Sequence, residues 1–364
     1  MNVPTLRFKE FKDEYINLKY KDVLKIKSGK DQKQVELESG IYPILGTGGQ
    51  IGKTNSFLYD KPSVLIGRKG TINKPQYMET PFWTVDTLLY SHIYEPNIPK
   101  YLFYSFQNVN WKKYDESTGV PSLSSSTIES VECNIPSKEE QLKIANFLSL
   151  LDKKIELQSK KIEDLKLFKK WLKECEFSNL DCKEISLSEI LKERKTYSEK
   201  GLEFPHVTLS KDGIYDKGDR YNRDFLVKSD DKKYKITYLN DLCYNPANLK
   251  FGVICLNEYG SAIFSPIYVT FIIKDIANPV YIKYYVTRNN FINAIRKYEQ
   301  GTVYERMAVS PEDFLKFSIK LPHIEIQNKI VAKLSKLDKK IELEELRLIK
   351  LNELKKGLMQ NMFV

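Results

Sequence analysis

Two stretches of the chain carry apolar residues at alternating spacings of four and three. In the first they fall at Ile144, Leu148, Leu151, Ile155, Ile162 and Leu165, with Gln158 as the one polar member. The second runs Ile330, Leu334, Leu337, Ile341, Leu348 and Leu351, and Glu344 is its polar break. That rhythm belongs to a coiled-coil seam, not to a helix lying on a globular core. Each seam then steps to Phe168 and Leu172, or to Leu354 and Leu358. Lysine pairs such as Lys153-Lys154 and Lys339-Lys340 read as solvated faces. The openings PSKEEQ and PHIEIQ place proline and glutamate where a helix N-terminus favours them. The pattern predicts helices over 138–176 and 322–364; either direction of pairing would bring Gln158 and Glu344 level, and antiparallel pairing is expected because opposed helices put the two flanking domains at opposite ends.

The two stretches are also copies of one another. LDKKIEL occupies both 151–157 and 337–343, a shift of 186 positions. The same shift relates Ile135–Ile144 to Leu321–Ile330, and Lys169, Lys170 and Leu172 to Lys355, Lys356 and Leu358. A fainter echo links LKYKDVLK (Leu18–Lys25) to ISLSEILK (Ile185–Lys192). Repeated units of this kind order the chain as domain, helix, domain, helix.

Outside the helices the pattern changes to short apolar runs bounded by Gly, Asn and Pro, such as PSVLIG (62–67), TVDTLLY (84–90) and IYVTFII (267–273). These are strand signals. The expected architecture is α+β: two mixed α/β domains, at 1–137 and 177–321, separated by two long helices in an antiparallel coiled coil, with an internal pseudo-twofold repeat. A repeated frame around unlike inserts suits a protein that reads two unlike things.

Length and charge narrow the classes. The 364 residues suffice for two or three domains, and 58 Lys and Arg against 48 Asp and Glu give a net charge of +10, which favours a polyanionic partner. The five cysteines, Cys133, Cys175, Cys182, Cys243 and Cys255, form no C-x-x-C pair, and no secretory signal is evident, so a reduced, cytoplasmic chain is expected. His92, His206 and His323 lack metal-ligand spacing, and no metal is expected.

The stretch LGTGGQIGKT (Leu45–Thr54) resembles a phosphate-binding loop but misses its frame. G-x-x-x-x-G-K-[ST] needs glycine where Thr47 stands, and G-x-G-x-x-G needs it at Ile51. The following NSFLYDKP reads as a loop, not the helix both motifs require. A tight turn between two strands is expected, whose basic end could still touch DNA phosphate. Asn245-Pro246-Ala247-Asn248 lacks the second proline and the aromatic of an adenine-methylase motif and reads as a structural turn. No Ser/His/Asp or Cys/His set and no nuclease-like acidic cluster presents itself, and no catalytic residue is expected.

Taken in order, PTLRFKEF (4–11), YPILGTGGQIG (42–52), LIGRKGTI (65–72), FWTVDTLLY (82–90), TGVPSLS (118–124) and the P-x-x-x-x-Q that opens each helix resemble the DNA specificity subunit of Type I restriction-modification systems. The likeness covers essentially the whole chain. It implies a non-catalytic subunit whose two target recognition domains each read one half of a bipartite DNA site. It also implies double-stranded DNA, two methyltransferase subunits and two restriction subunits as partners, with S-adenosylmethionine, ATP and Mg held by those partners and no cofactor here. A scaffold that binds only proteins is the competing reading, and the charge weighs against it. An autonomous methylase or nucleotide hydrolase fails on the motif spacing.

Candidate DNA contacts are residues, mostly basic, in glycine-rich or aromatic-rich loops, where a side chain can reach a phosphate or a base edge. In the first domain they are Lys30, Lys53, Arg68, Lys69, Thr71 and Lys74; in the second, Lys211, Arg220, Arg223, Lys250, Tyr304 and Arg306. Arg68, bracketed by Gly67 and Gly70, is the sharpest, its glycines expected to let backbone approach the duplex; the plain alternative is a solvated hairpin arginine. Tyr77, Trp83 and Tyr221 read as core aromatics before base-stacking ones.

Overall fold

The structure, a computed structural model, describes residues 3–178, 180–198, 203–217, 233–299 and 308–363. It divides into two compact units, residues 1–160 with 344–364, and residues 161–343.

The strands of the first unit are β1 (Ile16–Lys19), β2 (Leu24–Ser28), β3 (Glu36–Leu37), β4 (Tyr42–Gly46), β5 (Gly49–Thr54), β6 (Ser63–Gly67), β7 (Gln76–Met78), β8 (Trp83–Thr84), β9 (Leu88–Ile93) and β10 (Glu132–Ile135). They form one sheet in the order β2-β9-β6-β7, a second in the order β3-β5-β4-β8, and an antiparallel pair β1-β10. All five residues of β6 are buried, because VLIG is apolar on both faces of the pleat and the Ser63 hydroxyl donates to the Ser91 carbonyl at 2.7 Å. Val64 and Ile66 join Leu24, Ile26, Phe106 and Trp111 in one cluster. Leu65, pointing the other way, packs with Ile44, Phe82, Trp83 and Leu88. Helix α1 (Pro99–Asn108) buries Tyr101, Leu102 and Tyr104. Each large side chain so buried contributes roughly 1.5 to 3 kcal/mol.

The second unit repeats this plan with other residues. Its strands are β11 (Glu184–Ser186), β12 (Leu191–Glu193), β13 (Tyr197–Ser198), β14 (Val207–Ser210), β15 (Gly213–Asp216), β16 (Tyr234–Thr237), β17 (Leu242–Tyr244), β18 (Ile254–Leu256), β19 (Ala262–Phe264), β20 (Val269–Ile273) and β21 (Ser318–Lys320). The sheet order β12-β20-β17-β18 and the antiparallel pair β11-β21 match β2-β9-β6-β7 and β1-β10 strand for strand. In β17, Leu242 and Tyr244 face one core and Cys243 the other, the same division that β6 shows.

Helix α2 (Lys138–Ser178) and helix α4 (Ile324–Met362) are the two long helices; α3 (Pro279–Val286) is the second unit's counterpart of α1. Within each unit the segments of α2 and α4 run antiparallel. Lys355 pairs with Asp152 at 2.6 Å in the first unit. In the second, Lys333 meets Glu176 at 2.8 Å, and Lys169 pairs with Asp338.

One expectation for the seam needs correction. Phe168 and Leu354 lie outside it, 49% and 53% exposed. The four-three rhythm instead continues through Lys169 and Lys355, each half-buried and bonded to an aspartate that Tyr284 or Tyr104 also contacts. Leu172 and Leu358 then pack against the domain cores.

The P-x-x-x-x-Q openings turn out to be clasps. Buried Gln141 donates Nε2 to the Pro136 carbonyl at 3.0 Å and accepts from Ile98 N, ahead of α1, at 2.9 Å. Gln327 does the same with Pro322 at 2.9 Å and Asn278 N, ahead of α3, at 2.8 Å. Each glutamine satisfies backbone groups that burial would otherwise orphan, and locks a domain helix to a long one.

Candidate nucleic-acid interface

LGTGGQIGKT is the hairpin β4-β5. Its turn depends on Gly49 at φ +114°, and the register shifts between Ile44 and Leu45. No helix follows, since residues 55–62 are loop. Lys53 is exposed but sits opposite Pro43, at the outer end of the strand and not in the turn. In the second unit, Asn245-Pro246-Ala247-Asn248 begins a 3-10 helix, Pro246–Phe251, capped by the Asn245 side chain accepting from Ala247 N at 3.1 Å. It is a turn, as its spacing predicts.

LIGRKGTI and TGVPSLS, distant in sequence, meet as one surface. Arg68 N donates to the Thr87 carbonyl at 2.8 Å and Gly70 N to the Pro121 carbonyl at 2.8 Å; the Arg68 carbonyl accepts from Leu123 N at 2.9 Å. Lys69 and Ser122 form an antiparallel bridge. The two glycines serve the turn itself. A Cβ on Gly67 would stand 2.3 Å from the Thr71 carbonyl oxygen, and Gly70 has φ +84°, which a side chain resists. The tight turn presents Arg68 and Lys69 to solvent; among the described residues neither side chain has a hydrogen-bond or ion-pair partner.

The other first-domain candidates are spread wider. Exposed Lys30 is held through its backbone, donating to the Thr84 carbonyl at 2.9 Å and accepting from Trp83 Nε1 at 3.0 Å. Trp83 is therefore a buried strand residue with its N–H engaged. Thr71 is half-buried beneath Gly67. Lys74 lines a different cleft, of about 490 Å³, with Gln107, Asn352, Lys355 and Lys356. Tyr77 lies under Lys100, whose Nζ is 4.0 Å from the ring centre, and burial pushes the phenol up to about 12. Neither aromatic offers a free face for a base.

In the second domain the fold brings two candidates together. Lys211, in the turn between β14 and β15, and Lys250, on the 3-10 helix, line one cleft of about 440 Å³ with Asn289, Asn293 and Phe251. Phe251 is 68% exposed, with Lys250 Nζ 5.5 Å from its ring centre. Spacing did not single out Phe251, Asn289 or Asn293. The first follows Lys250 directly, and the other two come from a helix roughly forty residues downstream. Arg220, Tyr221, Arg223, Tyr304 and Arg306 lie outside the described residues. Among the described residues, no group of three or more His, Cys, Asp or Glu is placed to hold a metal ion, and no helix is long and apolar enough to cross a membrane.

The doubled domain, the doubled helix and the cationic loops correspond to a known profile, the Type I restriction modification DNA specificity domain, which matches residues 12–167 and again 180–353. The chain belongs to that specificity family. A specificity subunit of the Type I restriction enzyme MjaIX from Methanocaldococcus jannaschii is 41% identical over 83 residues, covering 20% of this chain and only 19% of that protein. The Type I S subunit from M. genitalium has a similar fold, with a TM-score of 0.63 at 15% identity over 100% of this chain and 99% of that one. A second solved chain, from work on assembly and conformational transition of the type I R-M system, gives 0.59 at 12% identity over 95% and 96%. Two copies of that DNA specificity domain together take up most of the chain.

Proposed function

We propose that this chain is the non-catalytic DNA-reading subunit of a Type I restriction-modification complex, with each domain addressing one half of a bipartite target. The carrying observation is the contrast between a duplicated frame and unlike loops. Gln141 and Gln327, Tyr104 and Tyr284, and Asp152 and Asp338 make matching contacts. The solvent-facing cations, by contrast, stand on a strand-connecting turn at Arg68 and Lys69 and on a hairpin and 3-10 helix at Lys211 and Lys250. Equal frames fit equal partners, and unlike loops fit unlike base sequences.

In this reading two methyltransferase subunits and two restriction subunits supply the chemistry and bind S-adenosylmethionine, ATP and Mg, while this chain supplies sequence choice. The test exchanges residues 1–137 for the matching domain of a relative and maps methylated adenines in DNA modified by the complex. A change confined to one half of the motif supports the reading, whereas a change in both halves, or none, defeats it. A protein-only scaffold would show no preference among duplexes at any salt concentration.

A further inference from the structure

The cleft that Lys74 lines is walled by two parts of the first unit. On one side stand the connection between β6 and β7 and the end of α1, on the other the last turns of α4. Three of its side chains are lysines, Lys74, Lys355 and Lys356; its other polar side chains are amides, Gln107 and Gln360 among them, and its described lining holds no carboxylate. Lys355 is already neutralised, its Nζ 2.6 Å from the Asp152 carboxylate. It also donates to Gln107 Oε1 at 3.4 Å, which leaves the Gln107 Nε2 donors unused among the described residues. Lys74 and Lys356 are exposed, and among the described residues neither has a hydrogen-bond or ion-pair partner.

The charge left uncompensated in the cleft is positive, so it favours an anion. Its walls narrow the kind. Pro75 and Met359 are the only apolar residues of the described lining, whereas a site for a free nucleotide or similar small molecule is mostly apolar. An open, polar cleft with unpaired lysines and amides suits a sugar-phosphate backbone, which is held by charge and polar contacts. The second unit has a cleft of the same character in the corresponding place. Lys250 stands on the connection between β17 and β18 as Lys74 does between β6 and β7, and Thr287 follows α3 where Gln107 ends α1. The residues differ while the combination of lysine and uncharged polar neighbours is kept. Phosphates are the same in both halves of a bipartite site, whatever the bases.

We propose that the cleft between the first domain and the end of α4 binds the DNA phosphate backbone through Lys74 and Lys356, so that the long helix itself touches the duplex. This rests on the proposed reading that the chain recognises DNA.

The experiment titrates the full chain, in complex with its methyltransferase partner, against target and non-target duplexes between about 50 and 200 mM salt. Lys74→Ala and Lys356→Ala should each make the slope of log affinity against log salt shallower by about 0.9, so that over this range each variant loses roughly threefold less affinity than wild type. The double variant should show about twice that change in slope. Each variant should weaken both duplexes by a similar factor and leave the methylated motif as it was. Lys356→Arg, which keeps the charge, and Lys350→Ala, which removes an exposed lysine of α4 outside the cleft, should keep the wild-type slope. Slopes unchanged in Lys74→Ala and Lys356→Ala would overturn the inference, and weaker uptake of the methyltransferase in those variants would mark the cleft as a protein contact instead. A slope shifted as far by Lys350→Ala would overturn it too, by reducing the effect to net charge, and so would an altered motif, by making the cleft a reader of bases. Wild type that still discriminates target from non-target duplex in these cases leaves the proposed function standing; wild type that does not removes that function as well.

Discussion

Gln158 and Glu344, the polar residues at the midpoints of the two seams, bond to each other. The glutamine Nε2 donates to the Glu344 carboxylate at 2.7 Å and to its backbone carbonyl at 2.9 Å. Glu344 is buried, and Arg347 also reaches its carboxylate, at 3.1 Å. In an antiparallel pair these two breaks meet because each lies midway along its seam, Gln158 between Ile144 and Leu172 and Glu344 between Ile330 and Leu358. A polar pair inside an apolar seam costs stability and specifies register.

Gln158→Leu should therefore destabilise the first unit by about 1 to 3 kcal/mol, since it leaves a buried carboxylate short of a donor. Adding Glu344→Leu should recover the loss or exceed it. Denaturant midpoints of the single and double variants decide the matter, and a single variant more stable than wild type would contradict it.

The duplicated tyrosine contacts give a second test. Tyr104 Oη donates to Asp152 at 2.7 Å, and Tyr284 Oη to Asp338 at 2.6 Å. Each is a hydrogen bond to a charged acceptor, with an expected cost on removal of about 1.5 to 3 kcal/mol. Tyr104→Phe should speed amide exchange in 138–160 and 344–363, and Tyr284→Phe in 161–178 and 324–343. Hydrogen-exchange mass spectrometry reads this directly. Loss of protection in the same segments for both variants would show that the contacts are not local.

How far the sequence exposed these features depended on how local each was. The seams and the repeat follow from periodicity within single helices, and the antiparallel pairing from where the repeat places the two domains. The hairpin at Leu45–Thr54 and the turn at Asn245 follow from glycine, proline and asparagine positions within a few residues. Lys169 and Lys355 escaped because a lysine breaks an apolar pattern even where its charge is matched by an aspartate from another helix. The docking of the Arg68 turn on residues 115–124, and the meeting of Lys211 with Asn289 and Asn293, join segments tens of residues apart. No spacing rule registers such contacts, whereas the sheet that carries the loops creates them.

Arg68 has a sharp consequence if it reads a base. A bidentate arginine on guanine is worth about 1 to 3 kcal/mol of discrimination, so Arg68→Ala should relax the preference at one position of one half-site by roughly tenfold or more. Selection from randomised duplexes, followed by affinity measurement on matched and mismatched sites, gives the answer. Equal weakening on all sequences would make Arg68 a phosphate contact instead.

Lys211 and Lys250 should behave in that second way. Both are cations on one cleft whose other polar side chains are uncharged, Thr287, Asn289 and Asn293, and a lysine ammonium is a point charge without the planar fork that distinguishes guanine. A phosphate contact releases about one condensed counterion, so the slope of log affinity against log salt should become shallower by about 1 for each lysine removed. Lys211→Ala and Lys250→Ala should each weaken binding by a similar factor on target and non-target duplexes, with the methylated motif unchanged. Titrations between about 50 and 200 mM salt span enough of the electrostatic term to resolve one unit of slope. A slope that stays at the wild-type value would mean the cleft faces something other than the DNA backbone. A changed motif would mean that one of the two lysines reads a base.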